Sequence, residues 1–236
     1  MYKYTDGVIQ DSKLAQDYAI SLGAPASPAL NKVIEIGVKF DIFNKYVEKG
    51  RARGKMGLNN ELIVFYSRSF KKNYNIDTVI FSLPIVMKKY KNIKYVFTGR
   101  INDLDSKIIR FIKENKIEKN VIFCGRVDHD KEIKYYYRDA NVTVSVTSID
   151  HYLASVHESV ACMTPVIVSD LPWIEGKFMP GRDLVTVPAR DHNSLALAII
   201  SVLDGSKTID LESAYSIVKD CINMQTENEK LEMFYR

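Results

Sequence analysis

The sequence is poor in the features that would mark an unusual class of protein. Its three cysteines, Cys124, Cys162 and Cys221, are too scattered for a metal or disulfide spacing. Two lie in or beside apolar runs, so they read as small buried hydrophobes in a reducing compartment. No run approaches the roughly 18 apolar residues of a membrane span, and the first residues lack the apolar core of a secretory leader. Neither sign of charge dominates: 33 basic and 29 acidic side chains leave +4. That excess is too small to argue for nucleic acid or a membrane surface. No GxGxxG and no GxxxxGKS/T occurs, which sets aside a standard dinucleotide fold and a P-loop. What remains is 46% hydrophobic and 26% charged, an ordinary globular balance expected in the cytoplasm.

The organisation changes along the chain. Residues 1–44 read as the tail of a larger unit. They hold a short strand at Asp6–Gln10, a helix capped by Asp11 or Ser12 that Gly23 and Pro25 stop after about Leu22, and an apolar strand Val33–Ile36 ending at Gly37. This is too little for an independent core. Residues 45–60 form a basic, glycine-punctuated connector. It reads as a solvated linker, with contact to anionic lipid or phosphate as the functional alternative.

From Glu61 a regular alternation begins. Apolar runs at Leu62–Tyr66, Ile93–Phe97, Val121–Cys124, Val142–Val146, Pro165–Val168 and Leu184–Val187 are mostly continuous rather than alternating, the pattern of strands buried on both faces. Between them, Ile76–Lys89, Asp105–Asn115 and Asp130–Arg138 are amphipathic and long enough for crossover helices. The fold class is therefore α/β, a doubly wound, mostly parallel Rossmann-like sheet over residues 61–208. Residues 209–236, with helices at Leu211–Ile222 and Thr226–Tyr235, pack back over the domain or toward residues 1–44.

In such a sheet ligands sit beyond the carboxyl ends of the strands, near helix amino termini. Three of those turns carry an arginine: Arg68, Arg100 and Arg126. Arg68 has Lys71 and Lys72 close by, and a phosphate there would receive charge-assisted hydrogen bonds. After the strand ending at Val146 come Asp150 and, eight positions on, Glu158. The helix starts near Leu153, where Leu153, Ala154 and Ser155 offer first-turn amides to an anion. The two acids fit hydroxyl groups on either side of that anion. By spacing alone they fit a loop cap and a surface acid as well. The histidines offer no catalytic pair: His129 and His192 read as loop residues and His157 as a packing or surface residue. His151 stands beside the acids as a loop residue able to reach a ligand.

The run Asp150–Glu158, followed by Ser-Val-Ala-Cys-Met-Thr-Pro-Val-Ile-Val, resembles the signature of family 4 glycosyltransferases: Glu, seven residues, Glu, then Ala-Met-Ala-Cys-Gly-Thr-Pro-Val-Val. Further pieces resemble the family in order: Ile36–Val38 with Phe43, then Val64–Arg68, then Val121–Gly125 with Tyr136–Val142. The likeness spans about residues 5–205. It implies a GT-B fold, of which this chain holds the tail of the amino-terminal domain and the whole donor-binding domain. It also implies transfer of a sugar, with retention, from a nucleoside-diphosphate sugar such as a UDP- or GDP-sugar, without a metal or other cofactor.

By that resemblance Glu158 binds the ribose and Asp150 the donor sugar. Arg68 neutralises the pyrophosphate with Lys71 or Lys72 in support, Arg126 and Val127 flank the base, and the Leu153 and Ala154 amides approach the phosphates. No catalytic residue is assigned. The implied partners are the nucleotide sugar, an acceptor glycan, lipid or small molecule, and an amino-terminal acceptor domain or subunit; no nucleic acid is expected. The chain would be a fragment or one subunit of a split enzyme, cytoplasmic or peripheral at the inner membrane surface. Several positions depart from the pattern: Asp150 for Glu, Ser67 for Gly, His151-Tyr152-Leu153 for Gly-Phe-Gly, Tyr74-Asn75 for Lys-Gly, and Lys39 for Asp. Such losses also fit a non-catalytic nucleotide-sugar-binding or partner module. An unrelated small-molecule enzyme on the same sheet, such as a sugar-phosphate epimerase, is the third alternative.

Overall fold

The computed structural model describes residues 2, 5–150, 152–174 and 177–235. Its centre is a six-stranded parallel sheet made of β3 (Ile63–Tyr66), β4 (Lys94–Phe97), β5 (Val121–Phe123), β6 (Val142–Ser145), β7 (Val166–Ser169) and β8 (Val185–Val187). The spatial order is β5-β4-β3-β6-β7-β8. Pairing therefore runs outward in both directions from β3 and β6, and the crevice of such a sheet opens between those two strands at their carboxyl ends.

The continuous apolar runs behave as two-sided strands. Along β3, Ile63 and Phe65 enter one core while Val64 and Tyr66 enter the other. All four are essentially inaccessible, and burial of each contributes about 2 kcal/mol. One core is covered by α3 (Ile76–Met87), α4 (Ser106–Glu114) and α7 (His192–Leu203), the other by α5 (Ile133–Asp139), α6 (Ala154–Ala161) and α8 (Leu211–Cys221). His192, expected in a loop, is the first residue of α7 and lies edge-on to Phe81 at 6.1 Å.

The amino-terminal segment differs from its sequence reading in one element. β1 (Val8–Gln10) and α1 (Lys13–Ser21) form as expected, with Ser12 Oγ accepting from Ala15 N at 3.2 Å. Its parallel partner β2, however, is Asn31–Val33 rather than Val33–Ile36. Buried Asn31 holds it there, its Nδ2 donating to Pro25 O at 2.8 Å while its backbone carbonyl accepts from Gln16. The apolar stretch Ile34–Ile36 follows the strand and runs toward the carboxy-terminal helices.

The connector is also more structured than a solvated linker. It contains α2 (Arg51–Met56), packed on α5 with Ala52 buried. Arg53 donates to the carbonyls of Asn59, Glu61 and Asp139, while Asp139 accepts from the Arg53 amide. Part of its positive charge is thus committed to structure. Finally, α9 (Met224–Tyr235) returns to the amino-terminal segment. Val38 N donates to Ile222 O at 2.7 Å, and Met224 N donates to Val38 O at 3.1 Å. Gly37 makes this possible, because a Cβ there would lie 2.2 Å from Met224 N. No described helix is long and apolar enough to cross a membrane.

Candidate functional site

The crevice between β3 and β6 collects the polar residues that follow each strand. Arg68, two residues beyond β3, reaches across to the loop after β6, where its Nη2 donates to Asp150 Oδ2 at 2.6 Å. The two side chains are only 15% and 11% exposed. On its other side the guanidinium lies 4.2 Å from the centroid of the Tyr74 ring, within cation–π range. Tyr74 thus occupies the surroundings of Arg68 that the resemblance gives to a lysine. Lys72, offered as support for Arg68, is exposed and makes no ion pair among the described residues.

Asp150 has a second task, accepting from Tyr152 N through Oδ1 at 3.2 Å. The capping and ligand-contact readings are therefore compatible: the carboxylate orders the turn into α6 and faces Arg68 together. His151 and Leu153 stand where the family pattern has glycines and Tyr152 where it has Phe, and neither the Tyr152 nor the Leu153 side chain projects outward. Leu153 is fully buried with Val156 and Val160, and Tyr152 lies edge-on to His157 at 5.0 Å. Among the described residues the N–H groups of Leu153 and Ala154, which precede any intrahelical acceptor of α6, have no acceptor and could receive an anion. His151 lies outside the described residues.

Glu158 is not a surface acid. It is 8% exposed, on the first turns of α6. Tyr137, wholly buried on α5, places its hydroxyl 3.0 Å from Glu158 Oε2 and 3.0 Å from Ser67 Oγ. A phenol has one proton to give; the carboxylate takes it, and Ser67 donates to the phenol oxygen. His129, from the loop after β5, puts Nε2 2.8 Å from Glu158 Oε1. That hydrogen bond raises the imidazole to about pKa 9. Sequence reasoning missed His129 and Tyr137, since nothing in the spacing links them to an acid 29 and 21 positions away.

His157 is the opposite case. Fully buried against Tyr152 and Phe178, it is pushed down to about pKa 3 by loss of solvent. It is a neutral packing residue, not a base.

Arg126 and Val127 stand at the mouth of a cleft of about 480 Å³, with Ser67, Phe70, Thr98, Gly99 and His129 among its walls. Gly99 bridges to Gly125 and lies under Phe70, whose ring would meet a Cβ at 2.5 Å. The aromatic floor of the cleft therefore depends on that glycine. A larger opening, about 750 Å³, lies away from the crevice among Ile9, Asp11, Leu14, Tyr18 and Ile34 of the amino-terminal segment. Among the described residues no group of three or more His, Cys, Asp or Glu is placed to hold a metal ion. Arg68, Asp150, Glu158 and the α6 amino terminus are thus gathered at one crevice, with Arg126 and Val127 on the adjoining cleft.

Residues 48–215 match the family described as "Glycosyl transferases group 1". A curated relative, the alpha-monoglucosyldiacylglycerol synthase of Streptococcus pneumoniae, is 26% identical over 180 residues, covering 72% of this chain and 38% of the relative. Among solved structures, Anabaena HepE in complex with UDP-glucose superposes with a TM-score of 0.82 at 17% identity, covering 98% of this chain and 64% of HepE. The carboxy-terminal domain of the Francisella tularensis group 1 glycosyl transferase LpcC superposes with a TM-score of 0.70 at 17% identity, over 80% of this chain and 100% of that domain. The chain spans less than two thirds of the synthase and of HepE. The superpositions establish the fold as the Rossmann-like half found in GT-B glycosyltransferases.

Proposed function

Because the chain belongs to the glycosyl transferases group 1 family, we propose that it is the donor-binding half of an enzyme moving a sugar, with retention, from a nucleoside-diphosphate sugar to an acceptor. The observation that carries this reading is the pair of shielded acids on either side of the α6 amino terminus, with Arg68 facing one of them. A diphosphate at the crevice would replace Asp150 as the partner of Arg68 and receive the Leu153 and Ala154 amides. Glu158 would accept from ribose hydroxyls, and Asp150, once released, from the sugar. Arg68 and the helix terminus then sit where charge develops as the diphosphate departs. Arg126 and Val127 would flank the base; Lys72 remains a weaker candidate.

Isothermal titration with UDP and GDP tests the assignment. UDP comes first because HepE carries it. The wild type binds one of them; Glu158→Ala and Arg68→Ala each lose at least about ten-fold, the effect of removing a charge-assisted contact. Undiminished binding by both variants would sink the site.

The acceptor belongs to a glycan, a lipid or a small molecule, and its half of the site to an amino-terminal domain or subunit. Leu14, Tyr18 and Leu22 of the amino-terminal segment are exposed apolar residues around the larger opening, which supports a covering partner there. The setting is cytoplasmic or at the inner membrane surface. One observation favours a non-catalytic module instead: Arg68 is already neutralised by Asp150. Turnover on mixing with a complementary amino-terminal domain excludes that alternative.

A further inference from the structure

Glu158 meets the crevice with both oxygens already engaged, and the group on Oε1 carries more hydrogen than a neutral ring can. His129 places Nε2 2.8 Å from Glu158 and Nδ1 3.1 Å from Asp130 Oδ1. Neutral imidazole has one N–H, and an ionised carboxylate only accepts. Two carboxylates therefore call for hydrogen on both nitrogens, so the ring is an imidazolium. Asp130 in turn stands 3.1 Å from Lys39 Nζ, on the segment that leaves the amino-terminal unit. Phe43 packs 5.4 Å from the ring. The result is an alternating row, Lys39, Asp130, His129, Glu158, ending at the Tyr137 phenol and Ser67 beside Arg68.

We propose that His129 is a positioning residue for Glu158. It holds the carboxylate in the one rotamer that leaves its remaining lone pairs to a ribose diol, so that nucleotide binding weakens when His129 loses its proton. The inference rests on the donor-site reading of the crevice. A carboxylate has about four acceptor positions; His129 and Tyr137 occupy one on each oxygen, leaving one on each oxygen for two vicinal hydroxyls. The charged or titratable groups facing the ring are Glu158 from α6, Asp130 on its own loop with Lys39 beyond it, and the Tyr137 phenol from α5. Burial keeps that phenol protonated well above its ordinary range. The upward shift of His129 toward about 9, caused first by Glu158, agrees with this arrangement.

The test uses the 236-residue chain and two readouts. The ring ¹³C–¹H signal of His129 is titrated in the wild type and in Glu158→Gln. The wild type titrates near pH 9, and the variant moves toward the ordinary value of 6.5. UDP affinity is then measured from pH 7 to 10 in the wild type, His129→Gln and His129→Arg, with circular dichroism confirming the fold. Relative to His129→Arg, which keeps a cation at every pH, the wild type loses about ten-fold across the interval, as removal of a charge-assisted partner predicts. The ligand's own titrations cancel in that ratio. His129→Gln is weaker than the wild type at pH 7, and its ratio to His129→Arg does not change with pH. A His129 signal titrating near 6.5 in the wild type, or UDP binding indifferent to His129→Gln, overturns the inference alone. A wild type that binds neither UDP nor GDP at any pH overturns the donor-site reading and this inference with it.

Discussion

Arg68 and Asp150 stand 2.6 Å apart across the crevice between two neighbouring strands, both largely withdrawn from water. Each is the partner the other uses when no ligand is present, and each is assigned to a different part of the same ligand.

That exchange makes Asp150→Asn informative. It leaves a shielded guanidinium unpaired, and breaking such a pair from one side costs on the order of 3 kcal/mol. A diphosphate would restore the missing charge. The rise in thermal midpoint produced by saturating UDP is therefore larger in Asp150→Asn than in the wild type. An equal or smaller rise means the diphosphate does not meet Arg68.

Asn75 ties the loop after β3 to the loop after β6. Its backbone is left-handed, at φ 49°. Its side chain donates to Val146 O at 2.8 Å and exchanges hydrogen bonds with Ser148 Oγ at 2.8 and 3.0 Å. Asn75→Gly keeps the turn and loses those bonds, about 1 kcal/mol or more. Asn75→Ala loses them and adds roughly 1 kcal/mol of left-handed strain. Urea denaturation ranks the wild type above Asn75→Gly and Asn75→Ala lowest. A reversed order of the two variants shows that the turn conformation is not the limiting feature.

His157 gives the fold an acid-sensitive limb. A histidine depressed from 6.5 to about 3 binds its proton only in the unfolded chain between those values. Stability is full above about pH 6.5 and falls as pH drops toward 3, by up to about 1.4 kcal/mol per pH unit. His157→Phe removes this term, so its urea midpoint changes less between pH 7 and 4.5 than that of the wild type. Parallel losses assign the acid limb to other groups.

Gly37→Ala tests the contact between the chain's two ends. The new Cβ would meet backbone at 2.2–2.6 Å, which no side-chain rotation relieves. A cost of about 3 kcal/mol follows from overpacking, with the β3–β8 sheet preserved. Hydrogen exchange then shows loss of protection at Val38 and Met224 but not at Phe65. Unchanged protection at Val38 means the backbones separate easily.

The sheet was legible because its strands are buried on both faces, so Ile63–Tyr66 and Val166–Val168 appear as unbroken apolar runs. The crossover helices were legible from the period of Ile76–Met87 and Ser106–Glu114. β2 was misplaced because a buried polar residue, Asn31, anchors it, while beyond Val33 the pairing with β1 ends at a single bond, Ile34 N to Gln10 O at 2.9 Å. The acids were visible as a spacing, but their chemistry was not. His129 and Tyr137 reach Glu158 through the fold, and Tyr74 reaches Arg68 across a turn, contacts that no periodicity encodes. The glycine losses at His151 and Leu153 gave a reason to doubt the site; the inward packing of Leu153 removes the steric part of that doubt at its position, while His151 lies outside the described residues.

The hydrogen bond from Glu35 N to Glu227 Oε2, at 2.9 Å, joins positions 192 apart. With the Val38 bridge it closes nearly the whole chain into a loop, and a closure of that length has a high entropic cost before any neighbouring contact offsets it. The parallel sheet needs only its own crossovers. The order of assembly is therefore sheet first, end-to-end closure last, and dismantling runs in reverse. A protease acting under native conditions would find β1, α1 and α9 before the strands that carry Arg68 and Glu158, leaving the crevice in a trimmed but still folded core.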